Sequence, residues 1–387
     1  MITSYCALKT LIDKALAFPC IALDTEFVWE QTYFPRLGII QLGLSDTDCY
    51  LIDAPAIEDL SPLGALLGNT NVVKILHDAQ QDLWILKRVT GGIPKNIFDT
   101  RCAAGFAGMS STLSLSNLLR TCLDVHLSKT ETRTDWLQRP LSGEQRMYAL
   151  DDVRYLPALR QHLLEVVHKR GCTDWLMDEL VLYNNPILYD DRPPDEQYQR
   201  VKGTGRLSRH EMAVVRELTI WREHEARTSD VPRNRILTDD AIVEIAKKKP
   251  HSPRAIERVR TLNDRDKQRF GDAIIQAVKH GLMLDEHHCP PVSDPSMPNP
   301  FHDARLDLAM AFMRGRCLSS GIDIPLVASR ADIKDFVTNG HPPKSNRLLN
   351  GWRKEFLGND LRDLLNGRHA IGIDIKTHLP ALIREKE

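Results

Sequence analysis

The sequence lacks the features that would mark a secreted, membrane-spanning or disulfide-linked protein. Among its 387 residues, no apolar run approaches the roughly 20 residues of a membrane span, and its start lacks the basic and apolar segments of a secretory signal. The cysteines are scattered without a Cys-x-x-Cys pair, and His287-His288-Cys289 has no second ligand cluster at zinc-site spacing. These absences predict a reduced, cytoplasmic protein that does not use a membrane.

A net charge is also nearly absent, since the formal value is -1 at pH 7. The total by itself gives no sign of a nucleic-acid partner, but the charge is unevenly distributed. Residues 206–281 carry 17 basic and 12 acidic side chains, whereas residues 171–205 carry 3 basic and 7 acidic ones. The sequence therefore joins an acidic stretch to a basic unit, and its average does not exclude an anionic partner.

The order of strand and helix patterns divides the chain into an α/β front and a helical back. Strand patterns come first, and helical patterns alternate with them, the last over about 143–168, which predicts a mixed sheet. No strand pattern follows residue 170, so we expect two small all-α helical bundles there. The predicted parts are 1–170 for the α/β domain, 171–205 for a linker, 206–284 for the first helical domain, 285–300 for a proline-rich linker, and 301–387 for the second helical domain. Three compact units in one chain suggest a monomer.

Two acids on the first predicted strand are candidates for binding a metal ion. Asp24 and Glu26 are two residues apart, so their side chains point to the same face of the strand. Two neighbouring carboxylates repel and resist desolvation unless a cation lies between them. Mg²⁺ or Mn²⁺ would suit these oxygen ligands, although two solvated acids at a strand end are an equally good interpretation of this pair alone.

Two later segments carry further candidates. Asp82 lies in the first turn of a predicted helix that follows the buried strand 72–76, where it could also simply complement the helix dipole. Tyr148 and Asp152 are four residues apart, so they share one face of a helix, whereas Asp151 points elsewhere. A phenol and a carboxylate in this arrangement could hold a metal ion and a water molecule side by side, but core packing of the tyrosine would explain the pair as well.

In this order, the motifs resemble the DEDD superfamily of 3′→5′ exonucleases, which have a ribonuclease H-like fold, and specifically the tyrosine subclass. The closer resemblance is to the ribonuclease D family, including its helicase-and-RNase-D C-terminal (HRDC) domains, and it covers nearly the whole chain. The motifs that carry it are Leu23-Asp24-Thr25-Glu26-Phe27, Ile40-Gln41-Leu42-Gly43, His77-Asp78-Ala79-x-x-Asp82-Leu83, Tyr148-Ala149-x-x-Asp152-Val153, Asp230-x-Pro232-Arg233-x-Arg235 and Leu348-Leu349-x-Gly351-Trp352. The sequence departs from the pattern at Asp78, where relatives more often have Asn.

The resemblance implies phosphodiester hydrolysis with two divalent metal ions, Mg²⁺ or Mn²⁺. It implies that Asp24 bridges both ions and that Glu26 and Asp152 complete the site of the attacking water. Asp82 would support the second ion, and Tyr148 would orient the water. The implied activity is trimming of the 3′ ends of transfer-RNA precursors and other structured RNAs, with release of nucleoside 5′-monophosphates.

Contacts to RNA are predicted outside the acidic cluster. Phe27 could stack against terminal bases, although a phenylalanine on a strand is more often part of the core. The basic residues of the first helical domain could bind phosphates, or could only keep that domain soluble; they are Arg233, Arg235, Lys247, Lys248 and Lys249. Two alternatives stay open, a DNA-directed exonuclease of the same superfamily and a nucleic-acid-binding adaptor that has lost its activity.

Overall fold

A five-stranded mixed sheet forms from the first hundred residues in the computed structural model, which describes residues 1–127, 134–291, 300–338 and 346–383. The strands lie in the order β3-β2-β1-β4-β5. They are β1 (Cys20–Val28), β2 (Arg36–Gly43), β3 (Cys49–Asp53), β4 (Val73–Leu76) and β5 (Ile97–Asp99). β4 is parallel to β1 and to β5, whereas β3 is antiparallel to β2. β1 is therefore the central strand.

Helices flank this sheet and make up most of the rest of the chain. Those before residue 190 are α1 (Tyr5–Ala15), α2 (Ser61–Gly68), α3 (Gln80–Thr90), α4 (Thr100–Phe106), α5 (Leu115–Leu123), α6 (Gly143–Arg154), α7 (Leu156–Lys169) and α8 (Thr173–Val181). Those after it are α9 (Arg209–Thr228), α10 (Arg233–Ile236), α11 (Asp239–Lys248), α12 (Pro253–Ile256), α13 (Asp264–Leu282), α14 (Pro300–Ser320), α15 (Ile324–Val327), α16 (Arg330–Thr338), α17 (Gly351–Arg353) and α18 (Asn359–Leu365). Among the described residues, no helix is long and apolar enough to span a membrane.

This architecture confirms the predicted fold class, a mixed-sheet α/β domain followed by a helical C-terminal region. Two details differ from the sequence prediction. The helix predicted over 143–168 ends and restarts at Tyr155, because Pro157 cannot donate its backbone nitrogen to the carbonyl of residue 153. A short hairpin, β6 (Ala370–Ile373) with β7 (Pro380–Ile383), lies in the region where only helices were expected.

The residues of the structure group into two compact units. The first contains 1–27, 37–189 and the described part of 298–387, and the second contains 28–36 and most of 190–297. In the first unit, residues of the C-terminal helices share one apolar core with the α/β elements. The division into domains at residues 170, 205, 284 and 300 stays a prediction, and residues 292–299 of the second predicted linker lie outside the described residues.

The second unit has its own apolar core, formed mainly by α9, α11 and α13. The helix α9 begins at a capping box, in which the Ser208 side chain accepts from the Glu211 backbone and the Glu211 side chain accepts in return. Tyr33, from the segment that follows β1, is also buried in this core. A residue only a few positions beyond the first strand therefore contributes to the helical unit.

Candidate active site

The central strand and α6 bring three carboxylates together. Asp24 and Glu26 lie on β1, and Asp152 lies on α6. One carboxylate oxygen from each lies within 4.8 Å of the others, a spacing at which they could bind the same metal ion. Two packed elements thus assemble residues that are separated by more than a hundred positions in the sequence.

Burial and mutual repulsion hold protons on these acids. Burial raises the pKa of Asp24 well above its ordinary value, and the charges of Asp82, Asp152 and Glu26 raise it further. Burial, followed by the charges of Asp152 and Asp82, raises the pKa of Glu26 to about 8. Burial and the neighbouring Asp151 raise the pKa of Asp152 to about 7. The cluster therefore favours a positive charge, supplied either by protons or by a cation.

Asp82 lies on α3, next to this group. It is 9% exposed, and burial raises its pKa to about 7. Its carboxylate accepts a hydrogen bond from the hydroxyl of Thr25, the residue between Asp24 and Glu26. Through Thr25, the first strand is connected directly to the fourth predicted carboxylate.

The start of α3 is held by Asp99, at the end of β5. Its carboxylate accepts from the backbone N–H of Ala79 at 2.9 Å and from the Tyr183 hydroxyl at 2.7 Å. Asp78 has a positive φ of 63° and forms an ion pair with Arg101, so it lies beside the cluster without belonging to it. These contacts fix the turn that directs Asp82 toward β1.

Tyr148 lies one turn before Asp152 on α6. Burial raises the pKa of its phenol above the ordinary value, and the charges of Asp152, Glu26 and Asp24 raise it further. The hydroxyl therefore stays protonated at neutral pH and can donate or accept a hydrogen bond, but it cannot act as a base.

A buried tryptophan positions the phenol. The Trp136 ring is 3% exposed, and its centroid lies 6.1 Å from that of Tyr148. A side chain at Gly38 would collide with the Trp136 backbone, so the glycine allows this close approach. Arg139 fixes the same loop through a hydrogen bond of 2.6 Å to Asp53.

The sequence did not indicate a role for Thr25 or for Trp136. Thr25 was visible as the middle residue of the acidic motif, but its partner on α3 depends on the fold. Trp136 lies in a loop without regular periodicity, so no pattern connected it with Tyr148.

Most of the predicted RNA contacts are partly buried or already have protein partners. Phe27 is partly buried against the apolar core of the first unit. Arg233 forms an ion pair with Glu223 at 2.5 Å, and Arg235 donates to Gln31. Lys248 forms an ion pair with Glu244 and Lys249 with Glu211, whereas Lys247 is exposed. Their role in binding RNA stays a prediction.

The cluster fits divalent metal ions. Its ligands are carboxylate oxygens, which hard cations such as Mg²⁺ and Mn²⁺ prefer. Burial, and after it the repulsion between the acids, raises the pKa values of Asp24 and Glu26. A divalent cation would relieve that repulsion, so the site favours metal binding on the chemistry of its own residues.

Comparison with known families and proteins agrees with this site. The 3′-5′ exonuclease family matches residues 1–168, and the HRDC domain family matches residues 211–278. Ribonuclease D of Desulfotalea psychrophila is 42% identical over 352 residues, which cover 90% of this chain and 94% of the relative. Ribonuclease D of Bartonella henselae is 33% identical over 349 residues, which cover 90% of this chain and 85% of the relative.

A solved structure supports the same assignment over almost the full length. The crystal structure of Escherichia coli RNase D, described as an exoribonuclease involved in structured RNA processing, superposes with a TM-score of 0.86 at 29% identity. The match covers 95% of this chain and 98% of that one. The chain therefore belongs to the ribonuclease D family of 3′→5′ exoribonucleases.

Proposed function

We propose that this enzyme removes single nucleotides from the 3′ ends of structured RNAs, transfer-RNA precursors in particular, with two divalent metal ions bound at the carboxylate cluster. The observation that carries the proposal is the convergence of Asp24, Glu26 and Asp152 within 4.8 Å of one another. The substrate class is supported by the similarity to Escherichia coli RNase D, an enzyme of structured RNA processing.

Each carboxylate would have its own role in binding the ions. Asp24, whose pKa is raised by the charges of all three other acids, would contact both ions. Glu26 and Asp152 would complete one site, and Asp82 would support the other. When bound, such ions lower the pKa of water and stabilise negative charge on the phosphate and on the leaving 3′ oxygen. This set of carboxylate oxygens suits Mg²⁺ and Mn²⁺ equally.

The protein groups then orient the reaction. Tyr148 keeps its proton, so its hydroxyl would position the attacking water by hydrogen bonding. The water oxygen forms a bond to phosphorus as the bond between phosphorus and the 3′ oxygen breaks, and a proton passes to that oxygen. The products are a nucleoside 5′-monophosphate and an RNA shortened by one nucleotide with a free 3′ hydroxyl.

A pair of neighbouring substitutions tests the proposal. Asp152→Asn should reduce hydrolysis of a 5′-labelled, 3′-extended transfer RNA by at least about a thousand-fold, because it removes a metal ligand. Asp151→Asn changes the same charge on the next residue of α6, where the carboxylate pairs with Arg154 at 2.6 Å, and should retain most activity. Single-nucleotide ladders on a gel, in Mg²⁺ and in Mn²⁺, would measure both rates.

The same assay distinguishes the alternatives. Equal activity of Asp152→Asn and the wild type would show that the cluster is not the catalytic site. Faster degradation of a single-stranded DNA of matched sequence would contradict the preference for RNA. A product carrying a 3′-phosphate would contradict the direction in which the phosphodiester is cleaved.

A further inference from the structure

The second compact unit contains a pocket of about 350 Å³ that is lined by arginines and aromatic residues. Its walls come from the segment 28–36 after β1, from the segment before α9, and from α9 to α11. The residues that give it chemical character are Trp29, Arg200, Arg222 and Arg233. Trp29, Arg200 and Arg222 were not among the sequence-predicted contacts.

Arg222 is buried in the pocket wall without all of its hydrogen bonds satisfied. It is 5% exposed, and its terminal nitrogen donates to Asp239 at 2.8 Å and to the Leu237 carbonyl at 3.1 Å. Its Nε has no acceptor among the described residues. This nitrogen is itself buried, so Arg222 forms part of the pocket wall, and a ligand would contact the exposed groups of the lining.

The charges around the pocket favour an anion. Arg222 is matched by Asp239, and Arg233 is matched by the buried carboxylate of Glu223 at 2.5 Å. Arg200 is exposed, and no carboxylate among the described residues contacts its guanidinium. One positive charge is therefore in excess among these arginines, and a phosphate group would balance it.

Trp29 adds an aromatic surface to this phosphate site. Its ring is 42% exposed, and its Nε1 donates to the Tyr33 carbonyl at 2.9 Å, which fixes the ring in place. An aromatic ring beside a guanidinium is the combination by which proteins bind single nucleotides, because the base stacks while the phosphate binds the arginine.

We propose that this pocket binds one nucleotide, with its base on Trp29 and its phosphate at Arg200. The nucleotide has two possible sources, one residue of the RNA strand or a free nucleoside 5′-monophosphate. The first source rests on the proposed exoribonuclease function, whereas the second needs only the pocket.

Binding without hydrolysis separates these cases. The full-length protein in EDTA would be titrated into a fluorescein-labelled, 3′-tailed RNA at several salt concentrations. In a separate experiment, calorimetry would measure its binding of AMP. Arg200→Gln should weaken RNA binding several-fold and reduce the slope of log K against log salt by about 0.7, the value for one phosphate contact on a single strand. Trp29→Ala should weaken binding about five-fold or more without changing that slope, and Trp29→Phe should restore most of the affinity.

Arg254→Gln is the matched control, since Arg254 is an exposed arginine of the same unit that does not line this pocket. If the pocket variants, but not the control, lose affinity for RNA and keep their affinity for AMP, the RNA strand is the source. If they lose affinity for AMP and keep their affinity for RNA, the free nucleotide is the source. The proposal is wrong if neither ligand is affected, or if Arg254→Gln is as harmful as Arg200→Gln.

A second measurement keeps this proposal apart from the exoribonuclease function. Hydrolysis of a dinucleotide by the wild type in Mg²⁺ tests the exoribonuclease function alone, whereas the four variants are compared in EDTA, where binding is measured without cleavage. A wild type that leaves the dinucleotide intact would contradict the proposed function and would leave the binding results to decide on the pocket.

Discussion

Thr25 is the residue that couples the acidic strand to α3. Its hydroxyl donates to Asp82, and this hydrogen bond lowers the pKa of a carboxyl that burial raises. Without it, Asp82 would be ionised to a smaller extent at neutral pH and less firmly held. Thr25 is thus a positioning residue, which would act on the metal site through its neighbour.

Thr25→Val keeps the shape of the side chain and removes the hydroxyl. A hydrogen bond to a charged group contributes about 1.5–3 kcal/mol, so the Mg²⁺ concentration for half-maximal hydrolysis should rise about ten-fold or more. Thr25→Ser restores the donor and should return the metal dependence close to that of the wild type. A Mg²⁺ titration of the initial rate measures this, and a lower rate with an unchanged metal dependence would contradict the positioning role.

The raised pKa values of the cluster predict how stability depends on pH in the absence of metal. The folded protein binds protons more tightly than the unfolded chain, whose carboxyls titrate near pH 4. The protonated acids therefore stabilise the folded protein fully below about pH 4. This stabilisation is lost as the pH rises through about 7 to 8, the pKa values of Asp82, Asp152 and Glu26.

Asp24→Asn isolates this effect, because Asp24 interacts with every other acid of the cluster. In EDTA, the melting temperature of the variant should exceed that of the wild type at pH 8, and the difference should shrink toward pH 5. Mg²⁺ should raise the melting temperature of the wild type at pH 8 far more than that of the variant. Thermal unfolding at both pH values checks this, and a variant less stable than the wild type at pH 8 in EDTA would show that repulsion does not dominate the site.

At the scale of elements, β4 carries a lysine inside the sheet. Lys74 is 0% exposed, its Nζ donates to the carbonyls of Asn69 and Val72, and burial lowers its pKa to about 8. The cost of burying its charge is fully present below pH 8. It is relieved as the pH rises from about 8 toward 10.5, the range in which only the unfolded chain holds the proton.

Comparison with Lys74→Met measures that cost. Between pH 8 and pH 10, the wild type should gain free energy of unfolding relative to the variant by up to about 1.4 kcal/mol per pH unit. Urea unfolding at several pH values provides the measurement. This pH dependence is expected whichever of the two proteins is more stable at pH 7. A difference in free energy of unfolding that does not vary with pH would mean that Lys74 stays charged when buried.

Local pattern predicted the elements that carry the site, because each of them combines a buried apolar face with acids at a fixed spacing. Asp24 and Glu26 follow from alternation on a strand, and Tyr148 and Asp152 follow from the helical repeat. β5 has only three residues, too few for any periodicity, so the strand that ends in Asp99 was not predicted. The contact between Trp136 and Tyr148 could not be predicted either, since it depends on how a loop packs on a helix.

At the scale of the whole molecule, the C-terminal helices share the core of the exonuclease unit. The Trp352 ring is 3% exposed and lies 5.1 Å from Phe106 of α4 and 5.7 Å from Trp175 of α8, measured between ring centroids. Arg353 reinforces the contact through an ion pair of 2.7 Å with Glu179. The sequence showed that these helices have an apolar face, but an apolar face does not identify the surface that it covers.

Because this core is shared, a destabilising substitution near the C-terminus should also destabilise the exonuclease unit. Trp352→Ala should lower the free energy of unfolding by about 3–5 kcal/mol, as for other buried tryptophans, and should reduce hydrolysis of a dinucleotide at temperatures where the wild type is stable. Leu318→Ala, at a 63% exposed position of α14, is the matched control and should change neither quantity appreciably. Differential scanning calorimetry of the full-length proteins gives the stability. If the exonuclease core were independent of residues 300–383, Trp352→Ala would create a separate early transition and leave dinucleotide hydrolysis unchanged above it.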